Sequence, residues 1–291
     1  MNKVLITGGC SFSDSAFDPK KPNRKSWVYY LVDKYNFIKG YHTAVGASGN
    51  ELITQRVISQ INHLIKSGYD TKNIHLAIMW SGIERTDLFI SDEIDDFSKI
   101  EMNGDNGQTV CFEQWNQRHD VSKGFIRSGG EAIDDKDWRS KSQRDYFLNY
   151  YKNYFTQENS FLQTCKNILL IQNLCDKHNI KYCMFVYNNI FNWTKNDHTY
   201  RDFLTKTKGV EKMVDVFNTS RHIYNLIDFD KFIFYESDTT EMGGLAEFAH
   251  ENDVEYWDDY DNDGDDFHVS YTGHQKFINH FENDIERLLK L

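Results

Sequence analysis

The sequence predicts an α/β fold in which a parallel sheet carries helices on its faces. Three observations point there. The first 80 residues read strand, helix, strand, helix, strand, the order that parallel βαβ units produce. Ile74–Trp80 is an apolar run bounded by polar residues, the pattern of a fully buried strand. The run Val4-Leu5-Ile6 leads directly into Gly8-Gly9, so the first strand ends at a tight turn.

The elements follow in order. Residues 3–7 form the first strand. Residues 25–35 read as a helix, with Trp27, Tyr30, Leu31 and Tyr35 at three- and four-residue spacing. A second short strand is expected over 41–45, followed by Gly46-Ala47-Ser48-Gly49-Asn50. Residues 51–67 have a clear helical period: Leu52, Ile53, Val57, Ile61, Leu64 and Ile65 share a face, and Gly68 stands where a C-terminal cap belongs. After the strand Ile74–Trp80, residues 85–140 are charged and glycine-bearing with weak periodicity. A stretch that long without its own structure is unusual in a compact domain, so an insertion over the cleft is expected. Helical spacing returns over 146–178, and 181–187 is the next strand. Residues 188–228 are expected to hold helices and loops near the cleft, and 232–235 a last short strand. A helix over 272–291, carrying Phe277, Ile278, Phe281, Ile285 and Leu288-Leu289, closes the chain. Crossovers are expected to be right-handed. No internal repeat is found.

The 291 residues suffice for one large domain with a full core, and a single domain over 1–291 is expected. A composition of 40% hydrophobic and 26% charged residues argues against wholesale disorder. The 33 basic and 44 acidic side chains give a formal charge of −11, which disfavours non-specific nucleic-acid binding and anionic membrane surfaces. No stretch approaches the ~20 apolar residues of a membrane span, and the N-terminal apolar run is too short for a signal peptide. Five cysteines, an odd number with no Cys-x-x-Cys pair, fit a reducing, cytoplasmic compartment. Aromatic residues reach 15%, which suits a thick core and equally a carbohydrate- or acyl-facing cleft; Trp115, Trp138, Tyr150, Tyr151, Tyr187, Phe191 and Trp193 are candidates to line one.

Chemistry concentrates at the two ends. Gly8-Gly9-Cys10-Ser11-Phe12-Ser13 puts a serine on the turn after the first strand, at the edge of the sheet where open α/β folds hold ligands. Asp265-Asp266-Phe267-His268 supplies a carboxylate and an imidazole, and serine, histidine and acid together can activate a hydroxyl nucleophile. Each residue also has a plainer role: Ser11 as a helix N-cap, His268 as a structural histidine, Gly49 as a turn residue, Arg85 as half of an ion pair and Cys10 as a small buried side chain. Asp259-x-Asp261-x-Asp263-Gly264 copies half of a calcium loop, but the closing glutamate falls at Ser270, so an unmetalled acidic loop is expected. His42, His63 and His75 lack ligand spacing, and neither Gly-x-Gly-x-x-Gly nor a P-loop lysine is present.

The constellation resembles the SGNH/GDSL hydrolases, a family of esterases, lipases, thioesterases and carbohydrate deacetylases. Gly9-Cys10-Ser11-Phe12-Ser13 is similar to their first block, residues 44–50 to their second, and Asp265-x-x-His268 to their last. Two positions depart: Cys10 stands for the first-block aspartate, and Ile83 for the third-block asparagine, an oxyanion donor. Trp80-Ser81 with Arg85 looks like a divergent branch of the superfamily, common in phage and bacterial proteins, so a phage- or virion-associated setting is a second expectation for location.

The resemblance implies a three-layer α/β/α sandwich with a central parallel sheet, of the flavodoxin-like, SGNH-hydrolase type. It implies Ser11 as nucleophile, His268 as general base and then acid, and Asp265 orienting the imidazole, with Asp266 its rival. The oxyanion would be held by the N–H groups of Ser11 and Gly49, with a third donor from Ser81, Arg85 or Asn50. The expected activity is hydrolysis of an acyl ester through an acyl-enzyme, with an O-acetyl group on a carbohydrate as the substrate guess and no metal or organic cofactor. The alternatives are a non-catalytic glycan-binding or structural protein on the same scaffold, and an acyltransferase.

Overall fold

A computed structural model describes residues 3–14, 17–18, 21–89, 97–103, 109–115, 125–127, 141–193, 208–255 and 268–291. The chain opens with β1 (Val4–Gly8), α1 (Ser11–Asp14), the short pair β2 (Phe17–Asp18) and β3 (Lys21–Lys25), α2 (Trp27–Lys34), β4 (Lys39–His42), α3 (Asn50–Lys66) and β5 (Ile74–Trp80). It continues through β6 (Asp87–Phe89), β7 (Phe97–Asn103), β8 (Thr109–Trp115), β9 (Phe125–Arg127), α4 (Lys141–Asn153), α5 (Gln157–His178) and β10 (Lys181–Val186). The remainder holds β11 (Asn192–Trp193), β12 (Glu211–Lys212), α6 (Met213–Val216), α7 (Arg221–Tyr224), α8 (Leu245–Glu251), α9 (Tyr271–His280) and α10 (Glu282–Leu289).

The central sheet runs β10-β5-β1-β4-β8-β7. Every neighbouring pair from β10 to β8 is parallel, and β7 closes the edge antiparallel to β8. Side chains alternate between the faces as the pleat requires. Val4 and Ile6, Leu76 and Ile78, and Met184 and Val186 pack with Ile53, Val57, Phe161 and Ile168 of α3 and α5. Leu5, Ala77, Met79, Cys183 and Phe185 pack with Trp27 and Val28 of α2 and with Phe277, Ile278, Ile285 and Leu289 of α9 and α10. The result is a layered α/β/α core, buried on both sheet faces, as the continuous apolar strands require.

Helix ends obey local chemistry. After α3, Gly68 adopts φ +84, its N–H bonds the Ile65 carbonyl at 3.0 Å, and the Tyr69 N–H bonds that of Leu64 at 3.1 Å. This closes the last turn with a left-handed glycine. Thr156 opens α5 by accepting the Asn159 N–H at 3.2 Å, and Asn179 ends it in the same left-handed conformation at φ 56.

Several sequence expectations shift. The second strand lies over Lys39–His42, two residues ahead of the expected 41–45. Its exit is set by Thr43, whose N–H and hydroxyl both bond the Thr7 carbonyl, at 2.9 and 3.0 Å. Within 85–140, β7 and β8 extend the central sheet beyond β4. The expected strand over 232–235 makes only isolated bridges, Met184 with Phe232 and Tyr235 with Gly243. The closing helix is two helices that break at Phe281, which is buried against Phe277. Among the described residues no helix is long and apolar enough to cross a membrane.

Candidate active site at the carboxyl edge of the sheet

The turn after β1 is shaped by close approach. A Cβ on Gly9 would collide with the Ser13 side chain and press on the Met79 carbonyl at 3.3 Å, so glycine lets Ser13 fold back over the turn. Its two serines have different fates. Ser13 is buried, its hydroxyl accepts the Trp27 indole N–H at 2.9 Å, and its carbonyl accepts the Ser26 hydroxyl at 3.1 Å. Ser13 therefore ties α1 to α2. Ser11 is the first residue of α1 and is half-buried at the carboxyl end of β1.

Phe12 gathers the neighbours. Its ring stacks on Tyr187, just beyond β10, with centroids 3.4 Å apart, and on His268 at 4.6 Å. The Arg85 guanidinium lies 6.0 Å from the same ring. Residues far apart in sequence thus converge on Phe12, the neighbour of Ser11: His268 from just before α9, Arg85 from the turn after β5, and Tyr187. Tyr187 is among the aromatic residues expected to line a cleft, whereas Phe12 has no signal in the sequence, because ring stacking across strands leaves no local pattern.

The two histidines of this region differ in kind. His268 is half-buried. His274, on α9, is fully buried, and its Nδ1 has no hydrogen-bond partner among the described residues. Burial first, and the nearby His268 second, push the His274 imidazole down to about 3, so it is neutral at physiological pH. Ser270 caps α9 by accepting the Gly273 N–H at 3.2 Å. Asp265, Asp266 and the Asp259-Asp261-Asp263 run lie outside the described residues.

The expected oxyanion donors are engaged differently from one another. The Gly49 N–H bonds Asp87 Oδ1 at 3.0 Å, and the Leu52 N–H bonds Asp87 Oδ2 at 3.0 Å. Gly49 is the N-cap position of α3 and has no side chain to cap with; Asp87 of β6 caps the helix from a distance. A Cβ on Gly49 would meet the Arg85 carbonyl at 2.5 Å, so close approach alone requires glycine there. Asn50 is committed to the frame: its amide donates to the Ser81 carbonyl (3.1 Å) and the Thr164 hydroxyl (3.0 Å), and its oxygen accepts the Ser81 N–H (2.8 Å). The Ser81 hydroxyl is buried and has no hydrogen-bond partner among the described residues. Ile83 is half-buried against the apolar cluster under α5. Tyr151 of α4 holds the turn by donating to the Glu84 carbonyl at 2.7 Å.

At the end of β10, the fully buried Glu247 accepts the N–H groups of Asn189 and Gly244, each at 2.8 Å. Burial raises its carboxyl above the usual range. Of the aromatic residues expected to line a cleft, Phe191 is buried among Phe229, Phe232 and Phe234, and Tyr187 is stacked on Phe12. Tyr150 and Tyr151 are half-buried on α4, and the side chains of Trp115, Trp138 and Trp193 lie outside the described residues. All five cysteines are free, and burial pushes Cys165 up to about 12. Among the described residues no group of three or more His, Cys, Asp or Glu could hold a metal ion.

No family model, curated protein or solved structure matches this chain.

Proposed function

We propose that this protein is a serine esterase in which Ser11 attacks an acyl ester and His268 moves the proton. The observation that supports the reading is that the His268 ring, from the far end of the chain, stacks at 4.6 Å on Phe12, the residue that follows Ser11. Ser11 stands at the carboxyl edge of a parallel sheet, between neighbours that run to opposite sides of β1, which is where such folds bind ligands. The order β4-β1-β5-β10, with the Phe232 bridge marking a fifth position beside β10, supports a flavodoxin-like arrangement.

In this mechanism His268 removes the Ser11 proton as the hydroxyl adds to the ester carbonyl. It then returns that proton to the departing alkoxide as the acyl-enzyme forms. Water reverses the sequence and releases the acid. Asp265 orients the imidazole, and the Ser11 N–H is one oxyanion donor. Arg85 beside Phe12 adds a cation that favours developing negative charge or an acidic substrate group. The substrate proposed is a small acyl ester such as an O-acetyl group on a carbohydrate, by analogy of scaffold and residues.

A second reading has its own support. The Gly49 N–H is engaged by Asp87, and the Ile83 side chain offers no donor, which favours a non-catalytic glycan-binding protein on the same scaffold. A fluorophosphonate serine probe with peptide mass spectrometry separates the two. An esterase gives one adduct on Ser11 that disappears in Ser11→Ala and His268→Ala, both still folded. No Ser11 adduct on any folded form of the protein, the Asp87→Ala variant included, overturns the esterase.

A further inference from the structure

Asp87 occupies a strategic position. Its carboxylate takes two backbone N–H groups at the start of α3, and one of them, on Gly49, is the second donor that the esterase reading needs. The Arg85 carbonyl presses on the same glycine, so segment 82–87 sits directly over it. One N–H cannot serve a carboxylate and an oxyanion at full strength together. A fixed carboxylate beside the reacting carbonyl would also repel the negative charge that develops there.

We infer that Asp87 is an internal stopper of the oxyanion site, and that acyl transfer to Ser11 requires segment 82–87 to lift from Gly49. The inference rests on the esterase reading. Lifting breaks two hydrogen bonds and exposes the Gly49 N–H, and a substrate carbonyl then takes the place of Asp87. Besides the two bonds of Asp87, the Tyr151 bond to Glu84, the turn bond from the Arg85 N–H to the Gly82 carbonyl at 3.4 Å, the packing of Ile83 on the apolar cluster and the pairing of Asp87 with Arg127 between β6 and β9 tie the segment, so lifting must loosen these as well. The Tyr151 bond would let α4 follow the motion.

A stopper and a plain helix cap differ in the sign of what their removal does. The full chain would be labelled with the fluorophosphonate probe at Ser11 as wild type, Asp87→Ala and Asp87→Asn, with melting curves on each. A stopper predicts labelling of Asp87→Ala faster than wild type by about tenfold or more, because one oxyanion donor is worth roughly 10²–10³ in rate. Asp87→Asn, which keeps the shape and one acceptor without the charge, falls between and covers the case in which the alanine variant does not fold. Equal or slower labelling of the folded variants overturns the stopper and leaves the esterase standing. No Ser11 adduct in any folded form overturns both.

Discussion

At the residue scale, similar side chains in one region take different roles through their surroundings. Ser13 and Ser11 share a turn, yet Ser13 is pinned by the Trp27 indole and only Ser11 stands at the sheet edge. His268 and His274 share the approach to α9, and only His274 is sealed in the core. That sealing makes a pH prediction with a definite sign. Folding lowers the His274 value from the ordinary range to about 3, so the unfolded chain binds a proton that the folded chain refuses. The associated stability is fully present above pH 6.5 and is lost as pH falls from there toward 3. At pH 5 the loss is about 2 kcal/mol relative to neutral pH. His274→Gln removes this titration, so urea melts at pH 7 and pH 5 should differ less for the variant than for wild type by that amount. The place of Ser11, on the turn after the first strand, was legible because an apolar run stopped by Gly8-Gly9 is a local signal. The role of Asp87 was not, since it meets Gly49 across 38 positions and nothing local announces a cap supplied by another element.

At the element scale, legibility tracked how local the causes are. The strand Ile74–Trp80 was readable to the residue because every side chain in it is apolar or buried by both helix layers, and polar residues bound it. The period of α3 and its Gly68 stop were readable because both are set within a few turns. The pairing of β8 with β4 was not, because it joins Gly40 to Phe112 across an intervening helix and three strands, and short polar-flanked strands carry weak periodicity. The break at Phe281 also escaped, since the apolar spacing continues through it and only tertiary burial of that ring redirects the chain. Gly68 offers a clean test of local causation. A Cβ there would meet nothing within 4 Å, so Gly68→Ala has no steric contact to lose, only a positive φ to sustain. The variant should be less stable by about 1–2 kcal/mol in urea unfolding, with the m-value unchanged. A neutral substitution would mean that the helix end relaxes to a right-handed turn.

At the scale of the whole molecule, the candidate site and the sheet cover are the same stretch of chain. His268 reaches Phe12 because α9 and α10, which follow it directly, lie against the sheet face formed by Leu5, Met79 and Phe185. Phe277, Ile278, Ile285 and Leu289 are each fully buried in that layer. At roughly 1.5–3 kcal/mol per large apolar side chain, their burial contributes about 6–12 kcal/mol, which is as large as the 5–15 kcal/mol that holds a typical domain together. A chain ending before Tyr271 should therefore fail to fold, not merely lose an imidazole. Circular dichroism would show no cooperative thermal transition, whereas His268→Ala in the full chain should melt close to wild type because that side chain is only half-buried. A truncated chain that still melts cooperatively would show that α2 and the sheet suffice as a core and that the C-terminal helices are an accessory cover. The size of the burial argues otherwise. The fold closes its last face with the elements that deliver the histidine, so this arm of the candidate site exists only in a chain that has finished folding.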